Sequence, residues 1–162
     1  MVKKVKFLFV YFAIAIAVIA ADQLTKMWLY GKSYSVMGDF LWVESSFNTG
    51  AAFSFMSGAL WFFIVVTILS SAVMIYLLCS NKWGLNLFNK ISIAIILGGA
   101  IGNLIDRIAL GGVRDFIYLK SINFAIFNVA DMAVTIGGIL LCVSLIVAII
   151  KSYNKKEKNN GN

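Results

Sequence analysis

The sequence predicts an all-α integral membrane protein of four transmembrane helices, with a small β-rich lobe between helices 1 and 2. Three observations lead there. Mean hydropathy is +0.91 and only 13% of the 162 residues are charged, outside the range of soluble domains. Four apolar stretches are each long enough, at about 1.5 Å per helical residue, to cross a hydrocarbon core of about 30 Å. Between the first two, the pattern changes to glycines, serines and aromatics at partly alternating spacing, as in short strands and turns. At this length the chain reads as a single membrane domain.

Lys3, Lys4 and Lys6 precede a charge-free run over 7–21, which resembles the basic and apolar regions of a signal peptide. No small-residue cleavage site leads into a polar mature domain, and the apolar pattern resumes three more times. The run is therefore expected to be the first transmembrane helix, about 7–26. Asp22 and Lys26 stand four apart, share a helix face and can pair, either as an interfacial anchor or as support for a polar site. Residues 27–58 form the expected lobe, with Trp28, Tyr30, Tyr34 and Trp42 of the type enriched at the headgroup level. Within it, Asn48-Thr-Gly-Ala-Ala-Phe53 has small residues that let a ligand approach the backbone; an ordinary turn explains the motif equally well.

The second span is expected over 59–79, free of charge, followed by a short polar link over 80–90. The third, over about 91–109, contains Gly98, Gly99, Ala100 and Gly102, which allow close helix packing. Gly99, Asn103 and Arg107 fall at i, i+4 and i+8, with Asp106 beside Arg107, so one face turns polar near the helix end. The fourth span runs over 129–150. The basic, Asn-rich tail over 151–162 is expected to be disordered.

Charge sets an orientation. The N-terminus, the 80–90 link and the tail hold nine of the fourteen basic residues, whereas the opposite side holds six of the seven acids. The positive-inside rule then places both termini in the cytoplasm, with the lobe and every candidate site residue outside. The net charge of +7 is thereby accounted for by topology. No basic patch with interleaved aromatics on a soluble surface calls for nucleic acid.

Histidine is absent, which removes Ser–His–Asp, Cys–His and HExxH chemistry. Cys79 and Cys142 lie in apolar runs without metal-ligand or redox spacing and read as small hydrophobes. The remaining candidates are carboxylates gathered between the third and fourth spans, where charge near lipid is costly unless paired or wet. Two carboxyls held close cannot both ionise easily. One stays protonated while the other acts as a base, a pair that can hydrolyse an amide without metal or histidine. Asp115 and Asp131 are the expected pair. Asn128 also looks like an N-cap with Asp131 at N3, where an acid favours the helix dipole. That position favours ionised Asp131 and leaves Asp115 as the acid. Asp106–Arg107 also reads as a simple interfacial ion pair, and Asn103 as an interhelical hydrogen bond.

Five blocks in order carry a resemblance: Asp22-Gln-Leu-Thr-Lys26, Asn48-Thr-Gly-Ala-Ala-Phe53, Gly98-Gly-Ala-Ile-Gly-Asn-Leu-Ile-Asp-Arg107, Val113-Arg-Asp-Phe116 and Phe127-Asn-Val-Ala-Asp131. Together they resemble the motifs of the lipoprotein signal peptidase (signal peptidase II) family, and they cover most of the chain outside its tails. The resemblance implies an aspartic endopeptidase of the bacterial cytoplasmic membrane. Such an enzyme removes prolipoprotein signal peptides by cutting on the amino side of a diacylglyceryl-modified cysteine. It implies Asp115 and Asp131 as the catalytic dyad. It places Asp22, Lys26, Asn48, Gly50, Gly99, Asn103, Arg107, Asn128 and Ala130 around it, and Asp106 in the same supporting cluster. Membrane lipid and the lipidated substrate are the implied partners, with no cofactor and no metal. Arg114, directly before Asp115, departs from the apolar residue expected there, and Arg107 is expected to pair with Asp106 or a lipid phosphate.

A different class, a small polytopic transporter or proton-relay protein, also uses intramembrane acids. Its sites lie near the midplane on broken helices, whereas these acids sit at one face of Pro-free spans. A membrane scaffold accounts for the glycines of the third span but not for the Asn/Asp cluster. A presenilin-type intramembrane aspartyl protease is a nearer rival, although no GxGD motif occurs.

Overall fold

The computed structural model describes residues 2–50 and 58–160. Four long helices, α1 (Val2–Leu29), α2 (Leu60–Cys79), α3 (Leu87–Leu110) and α4 (Val129–Asn160), form a bundle. Each contains a stretch long and apolar enough to cross a membrane. A three-stranded antiparallel sheet of β1 (Ser33–Met37), β2 (Leu41–Asn48) and β3 (Val113–Leu119) sits at one end, in the order β1-β2-β3. The lobe thus draws one strand from beyond its expected range. β1 and β2 follow α1, but β3 comes from the α3–α4 connection. Residues 51–53 of the Asn48–Phe53 block lie outside the described residues.

α3 is the central element and packs against each of the other three helices. Its core contacts, Ile93, Ala94 and Leu97, meet Tyr11 and Ala15 of α1 and Leu78 of α2. Small residues make that position possible. A methyl group on Gly99 would lie 2.5 Å from the Ala130 carbonyl oxygen, and one on Gly102 would lie 2.6 Å from Asp22 Oδ2. Only glycine lets α1 and α4 come this close to α3.

The helix limits differ from those read in the sequence for local reasons. α3 starts at Leu87 rather than near 91 because Asn86 caps it, its side chain accepting from the Asn89 N–H at 2.8 Å. Lys90 then turns inward from the first turn of α3. Its Nζ donates to the carbonyls of Leu78 and Ser80 and to Asn81 Oδ1, all at 3.1 Å, which satisfies the orphan carbonyls at the end of α2. The tail expected to be disordered instead continues α4 to Asn160.

β3 leaves α3 through Gly111, whose N–H closes the helix on Arg107 O at 3.2 Å. It pairs with β2 in a register that matches Ser46 with Asp115 and Asn48 with Val113, interrupted by an irregularity between Val43 and Ser46. After a 3-10 turn (Lys120–Ile122), the chain returns alongside β3. Phe127 O accepts from the N–H groups of Phe116 and Ile117, at 3.0 and 2.8 Å, and the Phe127 N–H donates to Ile117 O at 3.0 Å. This return sets Asn128 and the start of α4 beside Asp115.

Candidate active site

Asn128 begins α4 as the sequence suggested, in a reciprocal cap. Its Oδ1 accepts the Asp131 N–H at 2.9 Å, and Asp131 Oδ2 accepts the Asn128 N–H at 3.2 Å. With Oδ1 committed to the cap, its amide nitrogen points the other way and donates to Asp115 Oδ1 at 2.6 Å. One residue therefore touches both aspartates, through its backbone to Asp131 and through its side chain to Asp115. On the neighbouring strand, Asn48 lies diagonally across from Asp115 on the same sheet face, and its Nδ2 donates to Asp115 Oδ2 at 3.3 Å.

Asp115 is buried, and that burial, reinforced by the charge of Asp131, pushes its carboxyl up to about 7. The amides of Asn128 and Asn48 act in the opposite direction, because donors favour the ionised form. Asp131 Oδ1 accepts from Asn103 Nδ2 at 2.8 Å. The two carboxyl groups thus interact electrostatically, each ringed by amide donors, so their protonation is a property of the pair.

Behind the aspartates lies a buried ionic cluster. Lys26 Nζ meets Asp22 Oδ2 at 2.8 Å, Asn103 Oδ1 at 2.9 Å and Asp106 Oδ2 at 3.4 Å, one acceptor for each ammonium proton. Lys26, Asp22 and Asp106 are fully buried. By engaging Asn103 Oδ1, Lys26 forces the Asn103 amide nitrogen toward Asp131, so the orientation is transmitted from ion to amide to carboxylate. Asp22 Oδ1 in turn accepts the Ala130 N–H at 2.9 Å and satisfies the second orphan donor of α4.

Two features were not read from the sequence. Gln23 Nε2 donates to Asp22 Oδ2, Gly102 O and Asp106 Oδ1 at 3.0–3.1 Å. It is uncharged and escaped notice, although an amide beside Asp22 in an apolar helix was signal enough. Arg114, whose role the sequence left open, is the ion partner of Asp106, with Nη2 2.8 Å from Oδ1. The expected Asp106–Arg107 pair is not formed. Successive helical residues point about 100° apart, and Arg107 instead donates to Gly50 O at 3.2 Å and lies over the Phe63 ring at 5.2 Å. Gly50 is fixed by its own N–H to Asn48 Oδ1 at 2.9 Å.

All twelve residues singled out in the sequence therefore lie at the sheet-bearing end of the bundle. Asp115, Asp131, Asn48, Asn103 and Arg107 line a cavity of about 700 Å³ that continues along apolar faces of α2, α3 and α4, including Phe63, Thr67 and Val134. Among the described residues, no group of three or more His, Cys, Asp or Glu side chains is disposed to hold a metal ion.

Comparison with known proteins bears on this arrangement. The family model described as Signal peptidase (SPase) II matches residues 14–147. The lipoprotein signal peptidase of Listeria monocytogenes serotype 4a (strain HCC23) is 43% identical over 145 residues, covering 85% of this chain and 93% of that protein. That of Staphylococcus aureus (strain bovine RF122 / ET3-1) is 39% identical over 153 residues, covering 90% and 91%. A solved bacterial membrane enzyme, determined by the in meso method at 2.3 Å resolution, matches with a TM-score of 0.77 and 35% identity over 91% of each chain.

Proposed function

This chain belongs to the signal peptidase II family, and from that premise we propose that it is an aspartic endopeptidase acting on bacterial prolipoproteins. In this reading it spans the cell membrane as one domain and hydrolyses the bond on the amino side of the diacylglyceryl-modified cysteine. Asp115 and Asp131 are the catalytic residues. The observation that carries the assignment is the bridge at Asn128, which joins both carboxyl groups at the mouth of an apolar cavity.

The chemistry follows from the unequal surroundings of the pair. Protonated Asp115 is the acid, and Asp131, at the N-terminus of α4, is the base. Asp131 takes a proton from water as its oxygen bonds to the scissile carbonyl carbon, while Asp115 gives its proton to the carbonyl oxygen. As the tetrahedral species collapses, Asp115 takes back a hydroxyl proton, the C–N bond breaks and the leaving nitrogen receives the proton held by Asp131, so both carboxyl groups return to their starting states. Asn48, Asn103 and Asn128 fix the carboxylates, and the Lys26 cluster fixes Asn103. The cavity suits an apolar signal helix, with the lipid chains of the substrate remaining in the bilayer.

The test is cleavage of a diacylglyceryl prolipoprotein by the purified protein and by Asp115→Asn and Asp131→Asn variants. Each variant should lose nearly all activity while remaining folded in detergent, and full activity in either overturns the dyad. Cleavage of an unlipidated precursor at the same rate overturns the substrate assignment. The site is read as extracytoplasmic from the charge bias. A cysteine at Lys120, in a background lacking Cys79 and Cys142, should react with an impermeant thiol reagent on intact cells. Protection there reverses the topology. Against a proton-relay transporter stands the position of the acids, which gather at one end of the bundle.

A further inference from the structure

We propose that Arg114 is a positioning residue that pins the register of β3 and so aims Asp115 at its partner; the proposal rests on the dyad assignment above. Its main-chain N–H donates to Asp106 Oδ2 at 3.0 Å, its Nε to the same oxygen at 3.2 Å, and its Nη2 to Asp106 Oδ1 at 2.8 Å. Nη2 also donates to Gln23 Oε1 at 3.1 Å. The Arg114 carbonyl, which belongs to the peptide unit leading into Asp115, accepts from Asn128 Nδ2 at 3.5 Å. Side chain and backbone are therefore held together to a fully buried carboxylate on α3.

The need for such a pin follows from strand geometry. Neighbouring strand residues face opposite sides, so a slip of one position would turn Asp115 away from Asn128 and Asp131. The β2–β3 ladder does not secure this point by itself, because its irregularity between Val43 and Ser46 ends at the partner of Asp115. Arg114, on the opposite face, ties the strand to α3 one residue before the aspartate. It also balances charge. Asp22 and Asp106 face Lys26 and Arg114, so the cluster behind the dyad is neutral. The charged groups facing the two aspartates are Arg107 on α3 and Lys26 and Asp22 on α1, with the Asp106–Arg114 pair behind them; β2 contributes the neutral Asn48.

The test compares Arg114→Lys and Arg114→Met with wild type on the lipidated substrate, with rates normalised to the folded fraction. Lysine keeps the charge but not the two-pronged grip. It should lower kcat about tenfold with KM within twofold, because misplacement of a reacting group costs rate rather than binding, and leave the acid limb of the pH profile in place. Methionine should lower kcat at least as much and move the acid limb of kcat/KM upward by about half a unit or more, since loss of a nearby cation disfavours the ionised dyad. Should Arg114→Met fail to fold, the Arg114→Lys kinetics decide. Variants matching wild type within twofold, or a loss confined to KM, overturn the proposal. Asp115→Asn run alongside separates the two readings. If it cleaves normally the dyad assignment fails, whereas if it is inactive and the Arg114 variants are normal, only the pin fails.

Discussion

Asparagine at position 115 would keep the shape of the aspartate while removing its titration, and the consequence for stability can be worked out. Asp115 is 2% exposed, and its carboxyl is pushed from 3.8 to about 7 by burial and by the charge of Asp131. Between those values the folded protein binds a proton that the unfolded chain releases. The stabilisation from that proton is complete below about pH 4 and is lost as pH rises through about 7. At about 1.4 kcal/mol per unit, the full span is roughly 4 kcal/mol. Asp115→Asn escapes this loss but turns an NH2 group toward one of the two amide donors, at a cost of about 1 kcal/mol at every pH. The variant should therefore be more stable than wild type by about 3 kcal/mol at pH 8 and slightly less stable at pH 4. Unfolding in mild detergent, followed across pH 4–8 for both proteins, measures the difference. A stability gap that does not change with pH, or that widens toward acid, would refute the reasoning.

Other outcomes follow from the same network. Wild-type cleavage should decline as pH rises through about 7, where Asp115 loses the proton it must donate, and a pH–rate profile with no alkaline limb in that region contradicts the assignment of the acid. Lys26→Met leaves Asp22 and Asp106 buried with Arg114 as their remaining cation, and should cost about 3–5 kcal/mol in detergent unfolding. Adding Asp22→Asn should recover part of that loss. Gly102→Ala would set a methyl group 2.6 Å from Asp22 Oδ2. It should cost about 1–3 kcal/mol and reduce activity. Gly138→Ala, which meets nothing within 4 Å, should be neutral or slightly stabilising by the same measurements.

The helices were legible because lipid demands long apolar runs, and the site because charge beside such runs needs a reason. Asp22 with Lys26, and Asn128 with Asp131, are short-range pairs whose spacing alone sets their contacts. What escaped was long-range. β3 (Val-Arg-Asp-Phe-Ile-Tyr-Leu) shows no clean apolar–polar alternation and its partner β2 lies more than sixty positions away, while the Asp–Arg adjacency at 106–107 suggested a pair that helix geometry forbids. Only folding brings Arg114 back to Asp106. Gln23 was missed because an uncharged amide leaves little trace in a charge count, although two of its donated bonds, to Gly102 O and Asp106 Oδ1, tie α1 to α3.

The contact between Asp22 and Ala130 spans 108 positions and carries a consequence for biogenesis. Helices enter the bilayer in chain order, so α1 must hold its Asp22–Lys26 pair in place before the backbone donor of α4 has been synthesised. Asn103 likewise waits for both Asp131 and Asn128. The candidate site is thus completed by the last helix in the chain, and without α4 the proposed Asp115–Asp131 pair is not assembled. On the proposed assignment, activity therefore waits on insertion of the last helix.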